Sequence, residues 1–274
     1  MTRRWQDLTT EDFRDLPPDT VAVMPTAAIE QHGPHLPVSV DTTINEGLVA
    51  RARAALGDAP VLILPTLCIG KSDEHTLFPG TLALDWRTTT ELWTKVGLSV
   101  ARAGIRRMVI VNSHGGQVQL IDVVARQLRI EAGMFVAALH WPALWSGHDL
   151  LTEEERRHGI HGGLVETAMM LHLAPDLVKM EHARNFRSWG AELDARFEIL
   201  LPEGAVGFGW MSQDLNPAGA LGDASAATAE FGREIVEEVG LRLAQAIREV
   251  QAVDLTRLDA AWTDAGHAPR RAAE

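Results

Sequence analysis

Histidine and carboxylate side chains gather in four short stretches of this 274-residue chain. The first reads Glu30-Gln31-His32-Gly33-Pro34-His35-Leu36-Pro37, with Asp41 four residues further on. Glu30 and His32 are two apart, so in an extended segment they point the same way. Gly33, Pro34 and Pro37 force an irregular, rigid backbone, and Asp41 can fold back onto the same point. Glu, His and Asp are good ligands for zinc, manganese or iron. The competing reading is a solvated polar loop.

The second stretch is Asn112-Ser113-His114-Gly115-Gly116, directly after an apolar run that reads as a strand. Gly115 and Gly116 lead into a helix whose free N–H groups face the same side and can bind an anion or a developing oxyanion. His114 can equally cap the strand-to-helix turn, with the glycines serving backbone geometry alone. In the third, His161-Gly162-Gly163-Leu164-Val165-Glu166-Thr167, Glu166 falls in the first turn of a helix, where a carboxylate often only complements the dipole. His161 can titrate near neutrality and carry a proton. The fourth is Ser72-Asp73-Glu74-His75-Thr76-Leu77-Phe78-Pro79-Gly80-Thr81. Glu74 and His75 can touch a substrate, brace a metal ligand from behind or close the loop; the supporting role is favoured.

Taken together the stretches point to a pair of divalent ions. Two such ions carry four positive charges. Glu30, Asp41 and Glu166 offset three of them and leave room for a bound hydroxide, while the histidines add neutral donors. One carboxylate, Asp41 by its placement, can bridge the pair.

The elements that must position these groups alternate. Continuous apolar runs at 21–25, 61–64, 108–111 and 135–139 read as buried strands. Helical spacing covers 42–56, 88–103 and 118–132, stopped by Gly57, Gly104 and Gly133, and later 164–173 and 226–250. The pattern predicts an α/β fold, a mostly parallel sheet flanked by helices on both faces, with its ligand site beyond the carboxyl ends of the strands. Residues 183–224 are glycine-rich and irregular. The expectation is one domain over 1–274 with a frayed tail at 264–274.

Composition narrows the function. Hydrophobic residues make up 46% and charged residues 23%, which excludes a disordered chain. The formal net charge of −12 argues against nucleic acid or an anionic membrane surface as partner. The single cysteine, Cys68, excludes an internal disulfide and a multi-cysteine zinc site. The absence of Tyr excludes a tyrosine general acid. No apolar run approaches the roughly 20 residues that span a bilayer, and the first residues carry no apolar leader, so a cytoplasmic location is expected.

The four stretches, in this order, resemble the creatininase (creatinine amidohydrolase) family. The matching pieces are E-Q-H-G-P-H-L-P with Asp41, S-D-E-H-T-L-F-P-G-T, N-S-H-G-G-Q, H-G-G-L-V-E-T and the closing N-P-A-G-A-L-G-D-A-S-A-A-T from Asn216 to Thr228. E-Q-H-G-P-H-L-P is the specific one. The resemblance implies a binuclear centre, zinc with manganese, zinc or iron, and a homohexamer. Carried over, Glu30, Asp41 and His114 would hold one ion and His32, Asp41 and Glu166 the other. His161 matches a histidine that passes a proton to the leaving group. Creatinine enzymes have a metal-binding glutamate where this chain has Gly115-Gly116-Gln117, so Glu166 would replace it. Ser113, Gln117 and Ala168 also depart from the usual residues, which turns the substrate away from creatinine itself.

The expected reaction is opening of a small cyclic amide by attack of metal-activated water on a carbonyl. Other members of the family cleave a formamide, a cofactor precursor peptide or a C–C bond of a keto-inositol ring. Besides the glycines and Ser113, Trp141, Trp145, Trp189 and Trp210 are candidates to line the pocket, against the commoner fate of Trp as core. Two further classes compete: a metal-free sugar- or nucleotide-binding module, and a hydrolase with Ser113 or Cys68 as nucleophile. The latter lacks a G-x-S-x-G elbow.

Overall fold

The computed structural model describes residues 2–264 and 266. Its strands are β1 (Arg3–Arg4), β2 (Val21–Thr26), β3 (Val61–Ile63), β4 (Arg107–Asn112) and β5 (Phe135–His140), and all pair in parallel in the order β1-β3-β2-β4-β5. The helices, in chain order, are α1 (Val40–Leu56), α2 (Trp86–Arg102), α3 (Val118–Ala132), α4 (Glu153–His158), α5 (Leu164–Leu173), α6 (Trp189–Asp194), α7 (Ser212–Leu215), α8 (Ala229–Ala252) and α9 (Thr256–Asp264). A small antiparallel pair, β6 (Asn185–Phe186) with β7 (Gly222–Asp223), lies apart from the main sheet.

Strand alternation sorts the core into two layers. Val21, Val23, Val109 and Val111 pack under Val49, Ala52 and Leu56 of α1 and Leu243, Ala244 and Ile247 of α8. Ala22, Met24, Met108 and Ile110 face the other way, onto Trp93 and Val100 of α2 and Ile121, Val124 and Leu128 of α3. Both faces are covered, which is why the strands read as unbroken apolar runs. A third cluster joins α1, α5 and α8 through Ile44, Leu48, Met169, Met170, Ile235 and Val239. It holds the starts of α1 and α5 together beyond the strand ends.

The expected strands and helices are present, with helix ends displaced by no more than three residues. β1 was missed because two residues on a sheet edge carry no alternation. The stretch 183–224 holds only short elements. The expected frayed tail lies, apart from Asp264 and Gly266, outside the described residues. Among the described residues no helix is long and apolar enough to cross a membrane.

Candidate metal centre

Each candidate side chain leaves a strand end or a helix start. Beyond β2 the chain runs through 27–29 to Glu30, whose N–H is held by the Val38 carbonyl at 2.9 Å. Asp41 sits in the first turn of α1. Ser113 Oγ donates to the Asp41 carbonyl at 2.8 Å, and Asn45, one turn further, donates to the Thr26 and Val111 carbonyls at 2.9 Å each. These bonds rivet the start of α1 to the ends of β2 and β4. His114 follows β4, and its N–H donates to Asn112 Oδ1 at 3.2 Å. Gln117 Nε2 donates to the same oxygen at 2.8 Å, so the turn into α3 is tied to the strand end. Glu166 lies in the first turn of α5 and accepts the Gly162 N–H on Oε2 at 2.6 Å.

The five residues meet at one point. His114 Nδ1 is 3.1 Å from Glu30 Oε1 and 3.7 Å from Asp41 Oδ2. His32 Nε2 is 3.8 Å from Glu30 Oε1, from Asp41 Oδ1 and from Glu166 Oε2. Among the described residues, three sets bring ligand atoms within 4.8 Å of one another: Glu30 with Asp41 and His114, His32 with Asp41 and Glu166, and Glu30 with His32 and His161. The first two coincide with the sets implied by the family resemblance, and Asp41 belongs to both.

The atoms themselves fit a cation. His32 Nε2 and Asp41 Oδ2 are buried without a hydrogen-bond partner, and Glu30 Oε1 beside them has only the His114 ring, at 3.1 Å. An unsatisfied buried polar atom costs about 1–3 kcal/mol, so two beside a buried carboxylate call for a ligand to explain them. The ring orientations agree. His32 Nδ1 donates to the Glu30 carbonyl at 3.1 Å and His114 Nε2 to the Lys71 carbonyl at 2.9 Å. Each therefore turns its other nitrogen toward the cluster, the usual arrangement behind a metal-bound imidazole.

Electrostatics point the same way. Burial and the charge of Glu30 push the Asp41 carboxyl well above the usual carboxylate range. Burial opposes a charge on Glu30 as well, but His114 and His75 beside it outweigh that and hold its carboxyl well below the range. Burial likewise works against protonation of His114, yet Glu30, Glu74 and Asp41 together raise it well above the ordinary imidazole value. Positive charge is what this volume favours, and a divalent ion supplies it.

The remaining candidates divide. His161 is buried in the cluster, with Nδ1 3.7 Å from Glu30 Oε1. Burial and nearby His32 lower it to about 4, so its ring is neutral near pH 7. Glu74 stands behind His114, Oε1 to Nε2 at 3.3 Å, and its other oxygen takes Lys71 Nζ at 2.6 Å. His75 stacks on His161 with ring centroids 4.2 Å apart. Gly115 and Gly116 line a cleft of about 660 Å³ together with Lys71, Glu74, His140 and Trp210.

Ser113 is buried beneath α1 and its hydroxyl is engaged by the Asp41 carbonyl, an arrangement unsuited to a nucleophile. Trp141 and Trp145 are core residues, 4% and 6% exposed, packed with Leu36, Val40 and Ile44, so the pocket-lining expectation for Trp141 is corrected to a packing role. Trp189 sits on the surface. Sequence reasoning passed over Gln31, Asn45, Ser72 and His35. Ser72 Oγ donates to Glu30 Oε2 and His35 Nε2 meets Thr167 Oγ1 at 3.0 Å. Asn45 had a signal, since it lies one helical turn beyond Asp41.

Such a fold and such a site define a metal-dependent amidohydrolase of the α/β class. The Creatininase family, described as creatinine amidohydrolase, matches residues 6–247, and the chain belongs to it. The mycofactocin precursor peptide peptidase of Mycobacterium tuberculosis (strain CDC 1551 / Oshkosh) is 34% identical over 221 residues, 78% of either chain. The creatinine amidohydrolase of Pseudomonas putida is 34% identical over 181 residues, 60% of this chain and 68% of that one. Among solved structures, a creatinine amidohydrolase (creatininase) superposes with a TM-score of 0.72 at 28% identity, covering 92% of this chain and 98% of that one. Related creatininase structures include a zinc–zinc form and a manganese form. The donor set found here is of the kind that can hold such ions.

Proposed function

We propose that the chain holds two divalent ions, one on Glu30, Asp41 and His114 and one on His32, Asp41 and Glu166, and hydrolyses a C–N amide bond. The observation that carries this reading is the convergence at one buried point of Glu30 Oε1 with His32 Nε2 and Asp41 Oδ2, the last two without a hydrogen-bond partner. Bound there, zinc or manganese would polarise a carbonyl and make water nucleophilic near neutral pH. The protein's own part is to orient and to move protons. The Lys71 carbonyl and Glu74 fix the His114 ring. His161, neutral and with Nδ1 toward the cluster, takes up a proton and returns it to the departing nitrogen.

The cleft favours a substrate larger than the small cyclic amide expected from the sequence. About 660 Å³ beside Glu74 and Gly116 suits a drug-sized or short peptide ligand. The peptidase relatives, matched over 78% of this chain, support a peptide amide. We also propose a cytoplasmic homohexamer; sedimentation of the purified protein tests the hexamer. The deciding assay offers zinc- or manganese-loaded protein short peptides, cyclic amides, formamides and keto-inositols side by side. Turnover of peptide amides is expected; turnover confined to keto-inositols would overturn the reading.

A further inference from the structure

The side chain of Gln31 is enclosed, and its surroundings fix which end of the amide is which. Oε1 accepts the Gly33 N–H at 2.9 Å, and Nε2 donates to the Gly219 carbonyl at 3.0 Å. One backbone donor and one backbone acceptor leave no ambiguity about the amide flip. Gly219 adopts φ +80°, and a Cβ on it would overlap Gln31 Oε1. The loop is thus built around this amide.

The second Nε2 hydrogen has two acceptors in reach, His75 Nδ1 at 2.7 Å and Ser212 Oγ at 3.3 Å, and the shorter contact takes it. An amide NH₂ can only donate, so in this contact His75 Nδ1 is the acceptor and the ring hydrogen is left to Nε2. Nε2 is the nitrogen facing Glu30 Oε1, at 3.5 Å. His161 is arranged the opposite way by the same residue. Its Nε2 meets the backbone carbonyl of Gln31 at 2.7 Å, and a carbonyl can only accept, so that nitrogen carries the hydrogen. Nδ1, which faces Glu30 Oε1, keeps its lone pair. His161 Nε2 and Gln31 Nε2 also lie 3.2 Å apart, but both carry hydrogens and do not bond.

We propose that Gln31 is a positioning residue that sorts the two stacked histidines, giving His75 a hydrogen and His161 a lone pair toward the metal-binding carboxylate. His75 thereby presents no lone pair to the centre although it stands as close to Glu30 as His161 does. The proposal rests on the metal-centre reading for its purpose, but the hydrogen-bond pattern exists without any ion.

The test is histidine ¹⁵N NMR of the metal-free protein, followed by zinc titration against a competing chelator. Wild type is expected to show His75 protonated on Nε2 alone. In Gln31→Met, which keeps length and volume but cannot donate, that preference is expected to collapse. Zinc affinity or kcat should then fall about 10- to 100-fold, the usual effect of removing a residue that orients a metal site, with KM little changed. His75 protonated on Nδ1 in wild type overturns the proposal even if the variant does not fold. An unchanged His75 tautomer in a folded Gln31→Met protein also overturns it. Should wild type show the expected tautomers yet bind no zinc or manganese, the metal reading fails and the sorting by Gln31 stands.

Discussion

Gly116 makes room for Glu74. A Cβ at position 116 would overlap Glu74 Oε1 and lie 2.6 Å from His114 Nε2. The carboxylate occupies that space, 3.3 Å from the His114 ring, and is held below the ordinary range, at about 2. Burial works against that charge, while His114 and Lys71 more than offset it. Gly116 has no left-handed backbone demand, so the requirement is for space alone.

Gly116→Ala should therefore displace Glu74 and loosen His114 without disturbing the backbone. Divalent-metal affinity is expected to drop about 10- to 100-fold, read by zinc titration. Affinity equal to wild type would mean that Glu74 does not orient His114.

Asp41 belongs to both converging sets, so Asp41→Ala should reduce metal content at both positions rather than one. Elemental analysis of protein never exposed to chelator decides this. A variant that retains two ions per chain would refute the bridging role.

His161 stands between two roles, since it faces Glu30 and also joins Glu30 and His32 in a third set of converging atoms. As a proton carrier it is expected to be dispensable for binding metal. His161→Ala should keep its ions and lose turnover by about 10²- to 10⁴-fold, the usual contribution of a general acid–base group. Loss of an ion would make it a ligand instead.

Much of this centre was legible because its ligands come in tight clusters that punctuate apolar runs. Glu30 and His32 sit two apart, and His114 directly follows a strand, so periodicity placed them at one sheet edge. What stayed hidden was contact across long sequence separations. Nothing local marks that Gln31 reaches Gly219, or that Asn45 reaches the ends of two strands. Trp141 shows the reverse failure: next to a strand end it looks like a pocket wall, but the neighbouring helices bury it. Short elements such as β1 and α7 carry too few residues for a period to show.

Asn45→Ala gives a direct measure of the rivet that sets Asp41. The substitution strips hydrogen bonds from the Thr26 and Val111 carbonyls, both buried. Each carbonyl keeps a further donor, the Ser113 N–H at 3.1 Å on Thr26 and Thr26 Oγ1 at 3.4 Å on Val111, so the loss is of two ordinary hydrogen bonds, about 0.5–1.5 kcal/mol each. For a chain of this size about 1 kcal/mol corresponds to roughly 2–4 °C, so Tm should fall by several degrees. Calorimetry checks this, and an unchanged Tm would show that α1 is anchored elsewhere.

Acid should unfold the protein earlier than its carboxylates alone would require. Burial lowers His140 to about 4, against the carbonyl of Asn112, which holds the ring at 3.2 Å and favours its protonated form. His35, also buried, is lowered to about 4. A histidine whose value is depressed by folding binds fewer protons in the native state than in the unfolded chain. Its contribution is therefore complete above the unfolded value near 6.5 and is lost as pH falls toward 4. Denaturant midpoints of metal-free protein should decline steadily over that window. His140→Gln, which keeps a polar side chain but cannot titrate, should flatten part of the slope. If the variant and wild type decline in parallel, His140 is already protonated in the native state and its burial does not act as described.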